Sequence, residues 1–198
     1  MESHDPTALP DYLPEPRDDG GARHLPGLRL PSVALPATTG DQVDLSAVPG
    51  WSAVFAYPRT GRPGEPPPGG EAAWNAIPGA RGCTPELCGV RDDHAGLSAL
   101  GASVFGLSTQ DPGYQLEAAR RLGLTYPLLS DERLGLTRAL GLPTFVAEGL
   151  TLLRRLTLLV LDGEIVEAIY PVFPPDAAAR DAHERLTRLT DRPAREAT

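Results

Sequence analysis

Apolar positions recur with two periods along this chain of 198 residues, and the changes of period mark out its elements. "LRLPSVALPATTGDQVDLSAV" alternates apolar and polar residues around Thr39-Gly40-Asp41, which predicts a short β-hairpin. "WSAVFAYP" is a compact apolar run and predicts a buried central strand, stopped at Pro58. Helical periodicity begins at Thr84-Pro85-Glu86, a start signal with a hydroxyl cap, a proline at the first position and an acid in the first turn. Leu87, Val90, Leu97 and Leu100 continue that face until Gly101. "ASVFGLST" then reads as a strand and "QLEAARRLGL" as a helix closed by Gly123. "YPLLSD" and "RLGLTRALG" read as a short strand and a short helix, and "RRLTLLVLDGEIVEAIYPV" as a hairpin about Asp162-Gly163. "PPDAAARDAHERLTRLT" predicts a terminal amphipathic helix capped by Asp176, with Leu186 and Leu189 facing inward.

Strand–helix–strand units followed by a hairpin and a closing helix describe an α/β protein: a mixed central sheet with helices on both faces and an N-terminal β-hairpin. A thioredoxin-like fold fits that order. Two segments interrupt the periodic pattern. Residues 1–25 are rich in Pro, Asp and Glu, and predict a disordered or loosely packed tail. Residues 59–82 hold Pro or Gly at 11 of 24 positions, so they predict a long loop inserted into a single domain of residues 26–190. Trp74 and Ile77 give the loop something to pack with. It is either a plain surface insertion or a roof over a site beside Cys83. Residues 191–198 are expected to form a C-terminal tail.

Composition narrows the function. The net charge of −8 argues against a nucleic-acid partner, which would require a basic patch. All 18 basic residues are arginine, a sign of GC-rich coding before it is a functional clue. No apolar run approaches a membrane span, and the first residues lack the basic start and apolar core of a secretory signal. A soluble, cytoplasmic protein is expected.

In such a compartment the only two cysteines, Cys83 and Cys88, do not read as a structural bridge. A metal site is disfavoured, because His4, His24, His94 and His183 show no ligand spacing near them. Two inert cysteines packed as small hydrophobes remain a reading; a redox pair is the preferred one. Cys83 sits at a predicted helix entry, beside unpaired N–H groups and the positive end of the dipole, where a thiolate nucleophile is favoured. On one intact helix the two Cα atoms stand at least ~7.5 Å apart along the axis, beyond the reach of a disulfide, so pairing requires the first turns to unwind.

With these residues on the page, "GCTPELCGVRD" resembles the active-site helix of peroxiredoxins, in particular the bacterioferritin-comigratory-protein or Q-type subfamily. The likeness extends over roughly residues 26–190, including "VFGLSTQDP" and "YPLLSDERLGLTRALGL". It implies an atypical two-cysteine, thioredoxin-dependent peroxidase with no metal and no organic cofactor. Its substrates would be hydrogen peroxide and organic hydroperoxides, and its partner thioredoxin or a similar thiol reductant. A monomer is expected, with a dimer open. Cys83 would be the peroxidatic residue and Cys88 the resolving one. Arg155 matches the family's active-site arginine, since Arg154 would point to the other face of a strand. The family's peroxide-binding threonine is missing: three residues before Cys83 stands Ala80, so Thr60 is the candidate for that hydroxyl. Thr84 reads as the helix cap, and His94 as a surface residue. Arg91 either supports Cys83 through the helix or pairs with Asp92 or Asp93. The rival reading is a peroxide-sensing redox switch with little turnover. A general disulfide oxidoreductase is weakened by the absence of Cys-x-x-Cys.

Overall fold

The computed structural model describes Leu9 and residues 12–191. Its centre is a five-stranded mixed sheet built from β3 (Trp51–Ala56), β4 (Ala102–Ser108), β5 (Leu128–Ser130), β8 (Leu156–Leu161) and β9 (Glu164–Ile169), in the order β5-β4-β3-β8-β9. β3 pairs parallel with β4 and antiparallel with β8, so the run read as a central strand is flanked on both sides. Successive residues of β3 serve opposite faces. Val54 and Ala56 join the core under β1 (Ala34–Pro36), β2 (Gln42–Asp44) and α4 (Gly135–Leu140). Ala53 and Phe55 join the core under α2 (Cys83–Ala99) and α5 (Ala178–Thr190). α3 (Pro112–Leu122) packs on β5 and is capped by Asp111, whose side chain accepts from the Tyr114 N–H. Burying both faces of a sheet in this way is what makes its strands read as nearly continuous apolar runs.

Several sequence expectations need correction. Thr84 is not the cap of the long helix; the cap is Gly82, at φ +103°, and Cys83 is already the first helical residue. A side chain at Gly82 would meet Pro175 Cγ at 2.5 Å, so both the backbone angle and the space exclude one. Asp176 does not cap α5: it lies in a 3₁₀ turn over Pro175–Ala177, and α5 starts from Ala177 with no side-chain cap. The packed domain begins before residue 26, since Ala22 and Leu25 are buried in the core and Gly27 N–H donates to the Ile165 carbonyl. The first eight residues of the expected N-terminal tail, with residues 10 and 11, and the C-terminal tail from residue 192 lie outside the described residues.

Two elements lie where no helix or strand was expected. The 59–82 segment contains a short helix, α1 (Gly70–Asn75). Residues 144–153, which carry no clear alternation, form a hairpin of β6 (Thr144–Ala147) and β7 (Leu150–Leu153), turned by Glu148 and Gly149, both at positive φ. These two pieces pack on each other: Trp74 and Ala80 meet Ala147 and Leu152 in a separate small core, with the Trp74 and Phe145 rings 6.2 Å apart.

Candidate active site

Cys83 sits in the first turn of α2 and is 3% exposed, within the apolar cluster of Phe55, Tyr57 and Leu87. Two donors face its sulfur: the Arg59 backbone N–H and Arg155 Nη2, each 3.4 Å away. The thiol itself donates to the Ala80 carbonyl at 3.7 Å. Two donors thus converge on the sulfur in the first turn of α2.

Arg155 is held from several directions. Its Nη1 pairs with the Glu86 carboxylate, and Nη2 also donates to the carbonyls of Gly79 (3.2 Å) and Arg81 (3.1 Å). Both members of the ion pair are buried. Among the described residues Glu86 Oε1 and Arg155 Nε have no hydrogen-bond partner, so the pair is not fully satisfied there. Such a pair is better suited to fixing a geometry than to stabilising the fold. Glu86 was missed as a site residue, although its signal is local: it stands one helical turn after Cys83, on the same face. Arg154 and Arg155 lie between β7 and β8 rather than inside a strand. Arg154 turns the other way, to Asp19 and the Phe145 ring.

Thr60 is fully buried and lines the same pocket as Cys83. Its hydroxyl donates to Gln110 Oε1 at 3.1 Å, its N–H donates to the same oxygen at 2.9 Å, and Gln110 Nε2 returns a bond to the Thr60 carbonyl at 3.1 Å. Gln110 had no signal in the sequence; only the fold brings it to Thr60, 50 positions away. The pocket has a volume of about 770 Å³ and is walled largely by the 59–82 segment together with Cys83, Thr84 and Pro85 of α2. The segment therefore roofs the site.

Cys88 is half-buried, and both thiols are free. Of its two expected roles, Arg91 shows the pairing with Asp92. It lies one turn beyond Cys88, pairs with Asp92, and donates to the Leu122 carbonyl at 2.6 Å; its own pKa is raised by the Asp92 hydrogen bond and, further down, by the Cys88 charge. His94 bonds Thr125 on the surface. Burial pushes the Tyr57 phenol far up, with the nearby Cys83 charge adding to the effect and the Gln115 hydrogen bond opposing it, so the phenol stays protonated. Among the described residues no group of three or more His, Cys, Asp or Glu side chains is placed to hold a metal ion, and no helix is long and apolar enough to cross a membrane.

A thioredoxin-like sheet with a cysteine at a helix N-terminus, facing a buried arginine, defines the class as a thiol redox protein. Comparison with known proteins gives the family. The Redoxin family model matches residues 25–186, and the chain belongs to that family. Peroxiredoxin Bcp of Escherichia coli K12 is 32% identical over 103 residues, 52% of this chain and 54% of that protein. Chloroplastic peroxiredoxin Q of Gentiana triflora is 39% identical over 62 residues, 31% of this chain and 29% of that protein. The chain spans about half the length, or less, of these curated relatives. Among solved structures, peroxidoxin BcpB of Mycobacterium tuberculosis superimposes with a TM-score of 0.66 at 26% identity, over 84% of this chain and 99% of that one. Peroxiredoxin Q of Xanthomonas campestris shares the fold at a TM-score of 0.64 and 23% identity, over 82% and 97%. Within the Redoxin family, the chain is similar to peroxiredoxins of the Q, or Bcp, type.

Proposed function

We propose that the protein is a thiol-dependent peroxidase, acting on hydrogen peroxide and organic hydroperoxides through Cys83. The observation that carries this reading is the convergence of Arg59 N–H and Arg155 Nη2 on one buried sulfur at the wall of an open pocket. The Cys83 thiolate attacks the terminal peroxide oxygen. A sulfur–oxygen bond forms, the oxygen–oxygen bond breaks, and the leaving alkoxide or hydroxide takes a proton from solvent. Cys83 is left as a sulfenic acid. The guanidinium and the amide stay in place while negative charge moves from sulfur to the leaving oxygen, which is the arrangement that lowers such a barrier. Thr60, in the same pocket, is the hydroxyl available to hold the peroxide once its bond to Gln110 is shared.

Cys88 then attacks the Cys83 sulfur. A disulfide forms, and hydroxide leaves with the Cys88 proton as water. Both cysteines lie on one unbroken helix, so this step follows unwinding of its first turns. A thioredoxin-like dithiol supplies two electrons and restores both thiols by exchange. The proposed setting is cytoplasmic, with the protein working as a monomer. A sensor with little turnover is not favoured: the similar proteins named above are peroxiredoxins.

The test is steady-state peroxide consumption with thioredoxin and its reductase. Sustained turnover by the wild type, absent in Cys83→Ser, is expected. A single burst of oxidation without turnover would replace the enzyme by the sensor.

A further inference from the structure

α2 carries glycine at two interior positions, Gly89 and Gly96, where glycine weakens a helix relative to alanine. Gly96 has a packing reason: a Cβ there would meet Asp93 Oδ1 at 2.7 Å and His183 Cε1 at 2.8 Å. Gly89, directly after Cys88, lacks one. Among the described residues its Cβ would find only the Asp176 carbonyl, at an ordinary contact distance of 3.5 Å. The turns after Gly89 are tied to separate parts of the fold. Arg91 Nη1 donates to the Leu122 carbonyl at the end of α3 (2.6 Å), and His94 Nδ1 lies 2.8 Å from the Thr125 hydroxyl. Asp93 meets His183 Nδ1 of α5 at 2.9 Å. The turns before Gly89 hold both cysteines, and are tied by the Glu86–Arg155 pair and by the Tyr126 hydroxyl, which donates to the Leu87 carbonyl. Gly89 also repeats, seven residues on, the pattern with which α2 begins. Gly82 caps the helix with Glu86 in its first turn, and Gly89 is followed by Asp92 and Asp93. A helix starting from Gly89 would have an accepted cap residue and two acids near the positive end of its dipole.

We propose that Gly89 is the hinge of the resolving step: once Cys83 is oxidised, α2 unwinds from Cys83 to Cys88 and restarts at Gly89, while the tethered turns stay in place. The inference rests on the two-cysteine reading above and adds where the unwinding ends. No bond changes beyond those already given; the sulfenic acid and the Cys88 thiol still yield the disulfide and water. Unwinding frees the N–H groups of Val90, Arg91 and Asp92 from the carbonyls of Glu86, Leu87 and Cys88. With a new N-terminus at Gly89 they become ordinary first-turn donors. The Glu86–Arg155 pair and the Tyr126 bond oppose the opening and favour the wound helix. Gly89 touches no reacting atom; it is a positioning residue for Cys88.

The test follows a single turnover with hydrogen peroxide by rapid quench and intact mass. A species about 16 Da heavier than the reduced protein reports Cys83 oxidation, and its conversion to one about 2 Da lighter reports the disulfide. Gly89→Ala favours the wound helix and is a poorer cap for the restarted one. It is expected to slow the conversion about tenfold and to leave the first step unchanged. Gly89→Ser restores a capping residue and should fall between Gly89→Ala and the wild type. Ser98→Ala, exposed in the tethered half, strengthens the helix in the same sense and should leave both steps unchanged. Conversion at the wild-type rate in Gly89→Ala overturns the hinge while leaving the peroxidase intact. Equal slowing in Ser98→Ala carries the unwinding past Gly89 and overturns it as well, as does equal slowing of both steps in Gly89→Ala. If the wild type is never oxidised, or never passes from the heavier species to the lighter one, the two-cysteine reading itself fails, and this inference with it.

Discussion

β3 and the 59–82 segment, separated by Tyr57 and Pro58, both border Cys83, yet they reach it by different physics. β3 is six residues of WSAVFA, held by ladders to β4 and β8, with its last five side chains buried. Its position follows from apolar burial alone. The 59–82 segment is Pro- and Gly-rich, contains only one short helix, and is fixed by a handful of specific contacts. Trp74 is seated against Phe145, Arg81 bonds Glu71 and Asn75, and Arg121 donates to the Gly61 carbonyl. The sheet supplies the platform under Cys83. The segment supplies the Arg59 N–H, the Ala80, Gly79 and Arg81 carbonyls, and Thr60. A scaffold can thus be ordinary while a loop supplies most of the backbone groups around the sulfur and the arginine.

That division can be broken by substitution. The largest effect is expected at the point where both regions meet: Arg155→Gln should slow Cys83 oxidation by ~10²–10³-fold, measured by single-turnover kinetics, because a preorganised donor is lost. It should also destabilise the fold in urea titration, since Glu86 is left as a buried charge without its partner, at a cost of ~3–5 kcal/mol. Next, Trp74→Ala and Leu159→Ala should separate the two regions. Each removes a buried side chain, and each should cost ~2–5 kcal/mol in denaturant unfolding. Only Trp74→Ala should also slow oxidation of the still-folded protein, because Gly79, Ala80 and Arg81 are held through the small core it anchors. Equal kinetic losses in the two variants would remove the distinction.

How far the sequence discloses each region follows the same line. The period-2 and period-3.6 patterns place the central strand, the long helix and the Asp162-Gly163 hairpin, because burial on a face leaves a repeating trace. Cys83 and Cys88 stand out as the two cysteines of the sequence and Arg155 through the resemblance, and the structure brings Arg155 to the Cys83 sulfur. Glu86 was readable from helical spacing but overlooked. Gln110 and the β6–β7 hairpin were not readable. The first acts through a contact 50 residues away, and the second turns on Glu148-Gly149, which lacks the usual Asn-Gly or Asp-Gly signature. Thr84 and Asp176 look like caps by residue type alone, but the chain enters both helices through backbone geometry set by Gly82 and by the Pro175–Ala177 turn.

Smaller effects sharpen the comparison further. Thr60→Val keeps the shape of a fully buried side chain while removing its hydroxyl, and is expected to lower kcat/KM for hydrogen peroxide by about tenfold, the scale of one lost hydrogen bond to a reacting or charged group. No loss would show that the Thr60 hydroxyl does not hold the peroxide. The smallest effect belongs to the scaffold. Asp44 is partly desolvated, which raises its pKa, but bonds from Ser32, Ser46 and the Ser46 and Val33 N–H groups outweigh this and lower it below the ordinary value of 3.8. A carboxyl with a depressed folded-state pKa stabilises the protein above that ordinary value, and the contribution is lost as the pH falls through the depressed one. Asp44→Asn should therefore lower Tm slightly at neutral pH, with the difference from wild type vanishing in acid and no change in Cys83 oxidation.

The most direct measurement is intact mass and free-thiol count after one equivalent of hydrogen peroxide, on the wild type and on Cys88→Ser. The account predicts loss of about 2 Da and of both thiols in the wild type, and a trapped sulfenic acid on Cys83, about 16 Da heavier, in the variant. Two intact thiols in the wild type, or oxidation that begins at Cys88, would contradict it.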